Sequence, residues 1–435
     1  MLDRTEKRFD QMKEIHANFF SFLNSFLTQK SEQCEDRDIG LMLKEFALDK
    51  IASRQSSRAH FLYLIANILK IQTNEAFYFL CASLELNMIQ AYCYNVGADG
   101  KSGYVGGKKL IAFKTATFLR NYHSDFIEET LLLNKDQKEK LKSFTEKIYT
   151  GIYIGQVFDT LIDVYENFNK TALLPLALPK DRKLDEQVLA SELKMVEERL
   201  KKDSRIDTSN IEDFVWQRTY GLNAYMIELY PEILASLFLE TDQGVKLKPL
   251  REYAFCYGML MMIVNDIQDF ALDLTGGNTP TREKVAEDVF IDIKNERLTW
   301  PIQILLKSGN NEHIALLEEF YKHKSEPEWQ EKVRSMIVND GYIKLALIDA
   351  TAYTYVALNA LKNVEPSEDR SFLEDLVVSL VKGNRYVKLL SIKFDTKIRP
   401  PQSLINKRVK ELTAWLDKEK SRLTAVFGIE VKQRR

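Results

Sequence analysis

Apolar residues recur at three- and four-residue spacings along almost the whole chain, and the strict alternation of a half-buried strand is nearly absent. Only 10 prolines and 17 glycines punctuate the 435 residues, so the periodic segments run long. The pattern predicts helices over residues 6–30, 37–53, 57–70, 74–97, 107–122, 124–133, 136–168, 184–202, 208–239, 246–274, 282–293, 298–307, 311–323, 326–362, 367–391 and 402–426. The stretch Glu166 to Lys183 is the most loop-like, and the charged helix after it reads as an insertion. Ile398-Arg399-Pro400-Pro401 sets a final amphipathic helix apart from the body. There is no short-period repeat and no low-complexity tract. The expected fold class is all-α, with residues 1–435 forming a single large helical domain.

Composition narrows the function classes. A hydrophobic fraction of 45% supplies a sizeable core, and 61 basic against 63 acidic residues leave a net charge of −2. That balance gives no global pull towards nucleic acid or an anionic membrane. Cys34, Cys81, Cys93 and Cys256 lie far apart with no paired spacing, as buried free thiols do in a reducing compartment. The five histidines are equally scattered, which argues against zinc. The charged N-terminus lacks a signal-peptide core, and no apolar run approaches the ~20 residues a membrane span needs. A cytoplasmic protein is expected.

Chemistry concentrates between Gly258 and Pro301. Asn265, Asp266 and Asp269 close an apolar run at spacings that put them on one helix face. Such hard oxygen donors suit Mg²⁺, which binds diphosphates through one or two carboxylates and its own waters. Asp292 and Arg297 follow. Upstream, Gln156 and Asp159 sit inside an apolar helix, where a buried amide and carboxylate need partners, and so point to a polar cavity. Arg218-Thr219 offers a planar guanidinium fork suited to phosphate oxygens. Arg54 and Arg58, four apart, either face solvent near a helix start or present two guanidiniums to an anion. Glu85, Asn87, Gln90 and Asn95 punctuate an aromatic-rich helix that breaks at Gly97. Asp99 and a glycine loop ending in Lys108-Lys109 come next, either as a plain connection or as a flap over an anion. Tyr92, Tyr94, Tyr153, Phe158, Trp216, Tyr220 and Met262 lie near these motifs, as cavity lining or as ordinary core.

Four segments resemble, in order and spacing, the trans-isoprenyl diphosphate synthase (polyprenyl synthetase) superfamily. Gly155-Gln156-Val157-Phe158-Asp159 is similar to its GQxxD helix, and Arg218-Thr219 to its Lys-Thr diphosphate contact. GMLMMIVNDIQD resembles its second Asp-rich motif, GxxFQxxDDxxD, with Gly258, Asp266 and Asp269 kept, Asn265 in place of an Asp and Met262 in place of the Gln. DIKNERLTWP, Asp292 to Pro301, is similar to its D-L-x-x-G-K-x-T-L-P stretch, with Arg297 for the Lys. The resemblance covers about residues 40–310 and leaves 311–435 as a C-terminal helical extension. It implies an isoprenoid-synthase bundle around a central cavity, Mg²⁺ as cofactor, and an allylic prenyl diphosphate as substrate. It also permits a homodimer.

The departures divide the activities. Where the family's first Asp-rich motif is expected, the chain has Asn95-Val96-Gly97-Ala98-Asp99, with one carboxylate of three. Of the G-K-R-x-R-P motif that grips the co-substrate, only the second arginine survives, as Arg58. An elongase binds two diphosphates, whereas a terpene cyclase binds one and guides a carbocation among aromatic faces worth about 0.5–2 kcal/mol each. The leading expectation is therefore a Mg²⁺-dependent class I terpene synthase, a lyase. The first alternative is a chain-elongating or acceptor-directed prenyltransferase, and the second a non-catalytic regulatory partner subunit. In this reading Asp266, Asp269 and Arg218 are catalytic. Asn265, Asp266, Asp269, Asp99 and Asn95 hold metal, and Arg218, Arg297, Arg58 and Asp292 serve the diphosphate. Gln156 and Asp159 support these from behind, and Tyr92, Tyr153, Phe158 and Met262 line the cavity.

Overall fold

Among the described residues the long apolar periods become helices, because a 3.6-residue repeat buries its apolar stripe against other such stripes. The computed structural model describes residues 2–35, 40, 57–99, 109–167, 215–216, 218–239, 244–271, 291–308 and 310–382. These form α1 (Leu2–Gln33), α2 (Ser57–Ile68), α3 (Glu75–Asp99), α4 (Lys109–Glu129) and α5 (Lys135–Asn167). A π-helical turn, Tyr220–Ala224, runs straight into α6 (Tyr225–Phe238), followed by α7 (Gly244–Ala271) and the short α8 (Ile291–Lys294). Then come α9 (Trp300–Lys307), α10 (Asn311–Lys322), α11 (Pro327–Asn339), α12 (Tyr342–Leu361) and α13 (Glu368–Lys382). Among the described residues there is no strand, and the all-α expectation holds. The helices expected at 37–53, 184–202 and 402–426 lie largely or wholly outside the described residues.

Two boundaries differ from the periodic reading. The two helices expected at 107–122 and 124–133 are one, α4 (Lys109–Glu129), because His123 is not a break but a buried member of its inner face. Residues 326–362 form two helices, α11 and α12, because the backbone reverses at Gly341, whose φ of 93° lies in the left-handed region. Local chemistry accounts for several other ends. Asn310 caps α10 by accepting the Glu312 and His313 N–H groups, and Pro301 and Pro327 sit at helix starts where their missing N–H costs nothing.

One continuous apolar core joins these helices. Within it α7 packs along α12 and against α6, the π-turn and α13, while α3 packs along α4. Side-chain contacts show how the site helices lie. Ser83 meets His123 and Tyr94 meets Phe113, so α3 and α4 are antiparallel. Tyr94 meets Tyr153 and Asn95 meets Gln156, which runs α3 and α5 in the same direction.

Candidate functional site

The site is assembled by close helix crossings that glycine makes possible. A Cβ on Gly155 of α5 would lie 2.6 Å from the Gly221 carbonyl carbon, and one on Gly221 would lie 2.6 Å from the Gly155 nitrogen. On the other side of the π-turn, a Cβ on Gly258 of α7 would come within 2.5 Å of the Ala224 Cα. Three backbones therefore touch where any side chain would part them, and Asn223 Nδ2 ties the π-turn to α7 by donating to the Gly258 carbonyl at 2.9 Å. Asp159 lies one turn beyond Gly155, Arg218 just before the π-turn, and Asp266 two turns beyond Gly258. The crossings bring all three together.

What they form is a buried ion network. Arg218 donates from Nε to Asp159 Oδ1, and from Nη1 to Asp266 Oδ1 and Oδ2 at 3.2 and 3.0 Å. The Trp300 backbone N–H, at the first turn of α9, donates to Asp266 Oδ2 at 2.9 Å. Arg297 Nη1 donates to the Asp159 carbonyl at 2.9 Å, and its Nε stands 3.9 Å from Asp159 Oδ2. Burial works against the Arg218 charge, but the carboxylates of Asp266, Asp159 and Asp292 outweigh it and push its pKa up. Burial also pushes the Asp266 carboxyl up, against the pull of Arg218 and the Trp300 N–H.

Arg297 arrives by a strained turn. α8 ends with Glu296 N–H on the Ile293 carbonyl and Arg297 N–H on the Asp292 carbonyl, both 2.8 Å, and Glu296 sits at φ 58°. A left-handed residue after a helix is ordinarily glycine, and glycine is what the D-L-x-x-G-K-x-T-L-P pattern carries at this position.

The sequence candidates now separate. Asp266, Asp269, Arg218, Asp292, Arg297, Gln156 and Asp159 are all buried. Arg218, Asp266, Asp159 and Asp292 act electrostatically on one another. Asn265 is exposed whereas Asp266 and Asp269 are buried, because adjacent residues in a helix point about 100° apart, so Asn265 stands at the solvent edge of the helix side that carries the two acids. Arg58 is half-buried and its charge acts on Tyr230. Asn95 pairs with neutral Gln156, whose Nε2 donates to Asn95 Oδ1 at 2.7 Å. Tyr92, Tyr153 and Met262 are half-buried. Trp216 and Tyr220 stack on each other at 4.9 Å, and the Tyr220 hydroxyl donates to Glu228. The side chains of Asp99 and Phe158 lie outside the described residues.

The sequence reading passed over two groups. Trp300 contributes its backbone N–H to Asp266 and its indole N–H to Asp349 of α12. The signal was a lone acid in the apolar run YIKLALIDATAYTYVALNAL. Second, Ser83, His123 and Tyr149 form a buried neutral chain, Oγ to Nε2 and Nδ1 to hydroxyl, each 2.8 Å. Burial holds the His123 pKa down to about 3.

For a divalent cation the donor set fits in charge but is not a preformed cage. Four carboxylates (Asp159, Asp266, Asp269, Asp292) and two guanidiniums (Arg218, Arg297) from these motifs are buried, a formal excess of two negative charges. Yet among the described residues no three His, Cys, Asp or Glu side chains converge as metal ligands. Mg²⁺ needs only one or two carboxylates when a phosphate shares it.

No family model matches the sequence, and no curated protein matches it. Solved structures do. A geranylgeranyl pyrophosphate synthase from Corynebacterium glutamicum, complexed with isoprenyl diphosphate and magnesium, aligns at a TM-score of 0.61 and 15% identity, over 85% of this chain and 98% of that one. A polyprenyl synthase from Caulobacter crescentus CB15, complexed with calcium and isoprenyl diphosphate, aligns at 0.58 and 16%, over 85% and 96%. A heptaprenyl diphosphate synthase from Staphylococcus aureus aligns at 0.55 and 17%, over 84% and 97%. The chain has the all-α fold of these prenyl diphosphate synthases, as the motif resemblance implied. No helix among the described residues is long and apolar enough to cross a membrane.

Proposed function

We propose that the chain is a prenyltransferase that binds an allylic prenyl diphosphate at the Asp159–Arg218–Asp266 network and passes the prenyl group to an acceptor, either a second prenyl unit or another nucleophile. The observation that carries this reading is the network itself: acids and arginines from three motifs meet at one buried point of a fold shared with prenyl diphosphate synthases.

Arg218 is the group to meet the diphosphate. Its planar fork suits phosphate oxygens, and Asp159 holds it from behind, so that exchanging Asp266 for phosphate keeps it paired throughout. Arg297, steadied by the Asp159 carbonyl, adds a second positive charge. Asp266 and Asp269 are the residues to hold Mg²⁺, whose contribution when bound is to neutralise the diphosphate as the allylic C–O bond breaks.

A second reading, the one-substrate terpene cyclase, is favoured by the Asn95–Gln156 amide pair. An amide tied to an amide stands where a two-diphosphate enzyme carries carboxylates.

The test is to incubate the purified chain with Mg²⁺ and C10, C15 or C20 allylic diphosphates, with and without isopentenyl diphosphate or a candidate acceptor. A longer diphosphate or a prenylated acceptor supports the transferase. Hydrocarbon or alcohol formed from the allylic substrate alone selects the cyclase. No turnover by the chain alone, and none added to that of an active homologue, overturns both. A chain inactive alone that changes the homologue's rate or product length selects the regulatory partner subunit.

A further inference from the structure

The buried network does not end at Asp266. Trp300 opens α9 and reaches two carboxylates: its backbone N–H lies 2.9 Å from Asp266 Oδ2 and its indole Nε1–H 3.0 Å from Asp349 Oδ2. All three residues are buried. The first N–H groups of a helix have no partner within it, so the Trp300 amide is a donor available to a carboxylate and aligned with the helix dipole. Its direction depends on how α9 begins. Thr299, before it, is extended and gives no side-chain cap, so the start of α9 is held by its neighbours rather than by a local capping bond. The indole is one such hold, since it is anchored to Asp349 and its ring meets Tyr353, one turn further along α12, edge to face at 6.4 Å. Asp349 is the one acidic residue of α12, and α12 lies beyond the part of the chain that carries the motif resemblance. A carboxylate buried in an apolar helix is costly unless it is hydrogen-bonded.

We propose that Asp349 is a positioning residue: through Trp300 it sets the start of α9, and thereby holds the Asp266 carboxylate in register with Arg218. The geometry stands independently of substrate; the ligand used to test it rests on the prenyl-diphosphate reading.

The experiment measures binding of inorganic pyrophosphate in the presence of Mg²⁺ by calorimetry. Asp349→Leu, and Trp300→Phe, which keeps the backbone N–H but removes the indole donor, each weaken binding about ten-fold, the scale of one hydrogen bond to a charged group. The double variant is no weaker than either single one, because both remove the same bond. Asp349→Asn, which retains an accepting oxygen, stays within about three-fold of the unsubstituted chain. Should Asp349→Leu fail to fold, Trp300→Phe against Asp349→Asn carries the comparison. Folded Asp349→Leu and Trp300→Phe variants that bind as the unsubstituted chain does overturn the proposal. If the unsubstituted chain binds no pyrophosphate, the prenyl-diphosphate reading falls, and urea unfolding of Asp349→Leu, Asp266→Asn and their double variant decides the positioning role. Non-additive losses sustain it, and additive losses overturn it.

Discussion

Two polar inclusions lie in the same helical core and are differently charged. One inclusion, on α3 and its neighbours, is neutral: Ser83–His123–Tyr149, and the Asn95–Gln156 amide pair further towards the end of α3. Around the start of the π-turn the other is ionic: Asp159, Arg218 and Asp266, with Arg297 and Asp292 close by. A neutral pair is worth about 1 kcal/mol net and asks for no counter-charge. A buried ion pair contributes little net stability, yet losing one partner strands the other at a cost of about 3–5 kcal/mol. Charge kept in a core at that risk points to a task for the charge. Under the proposed function the ionic inclusion is the half that exchanges partners with a diphosphate and a cation, and the neutral half serves as scaffold or cavity wall.

The comparison is broken most directly at Asp266. Asp266→Ala leaves Arg218 with Asp159 as its one remaining carboxylate contact and lowers stability by about 3–5 kcal/mol in urea unfolding. A loss under 1 kcal/mol removes the ionic assignment. Gly155→Ala drives a Cβ into the Gly221 backbone, which cannot step aside, so a loss of about 3 kcal/mol is expected, the upper end for overpacking. Thermal unfolding measures it.

Acid tests the neutral half. Burial holds the folded His123 pKa down to about 3 from 6.5, so the folded state binds this proton less readily than the unfolded chain. Its contribution is present above pH 6.5 and is lost as pH falls, by about 2 kcal/mol between pH 6.5 and 5. His123→Gln should flatten the stability–pH curve there by about one proton; an unchanged slope would mean that His123 is charged. The smallest expected effects are about 1 kcal/mol each. Asn95→Ala loses one neutral hydrogen bond, and Glu296→Gly gains stability by relieving its left-handed backbone. Denaturant midpoints with unchanged slopes are the measure of both.

Much was legible along the chain. Helical periodicity alone indicated an all-α protein, because an apolar stripe at that spacing has few other ways to be buried. The spacing of Gly155, Asp159, Arg218, Gly258, Asp266 and Arg297 pointed to residues that meet in the buried network, since a motif is a local record of which side chains share a helix face. What the chain did not disclose were choices made between elements. Whether Asn265 joins Asp266 or faces solvent depends on which sector of α7 meets its neighbours. That Arg218 directs its donors to Asp159 and Asp266 depends on two glycine crossings between residues distant in sequence, Gly155 with Gly221 and Gly258 with Ala224. That Asp349 belongs to the site depends on one indole reaching across from α9 to α12. Periodicity reports which residues a helix will bury. It is silent on which buried groups will face each other, because partner choice is settled by the crossing of helices and not by position along any one of them.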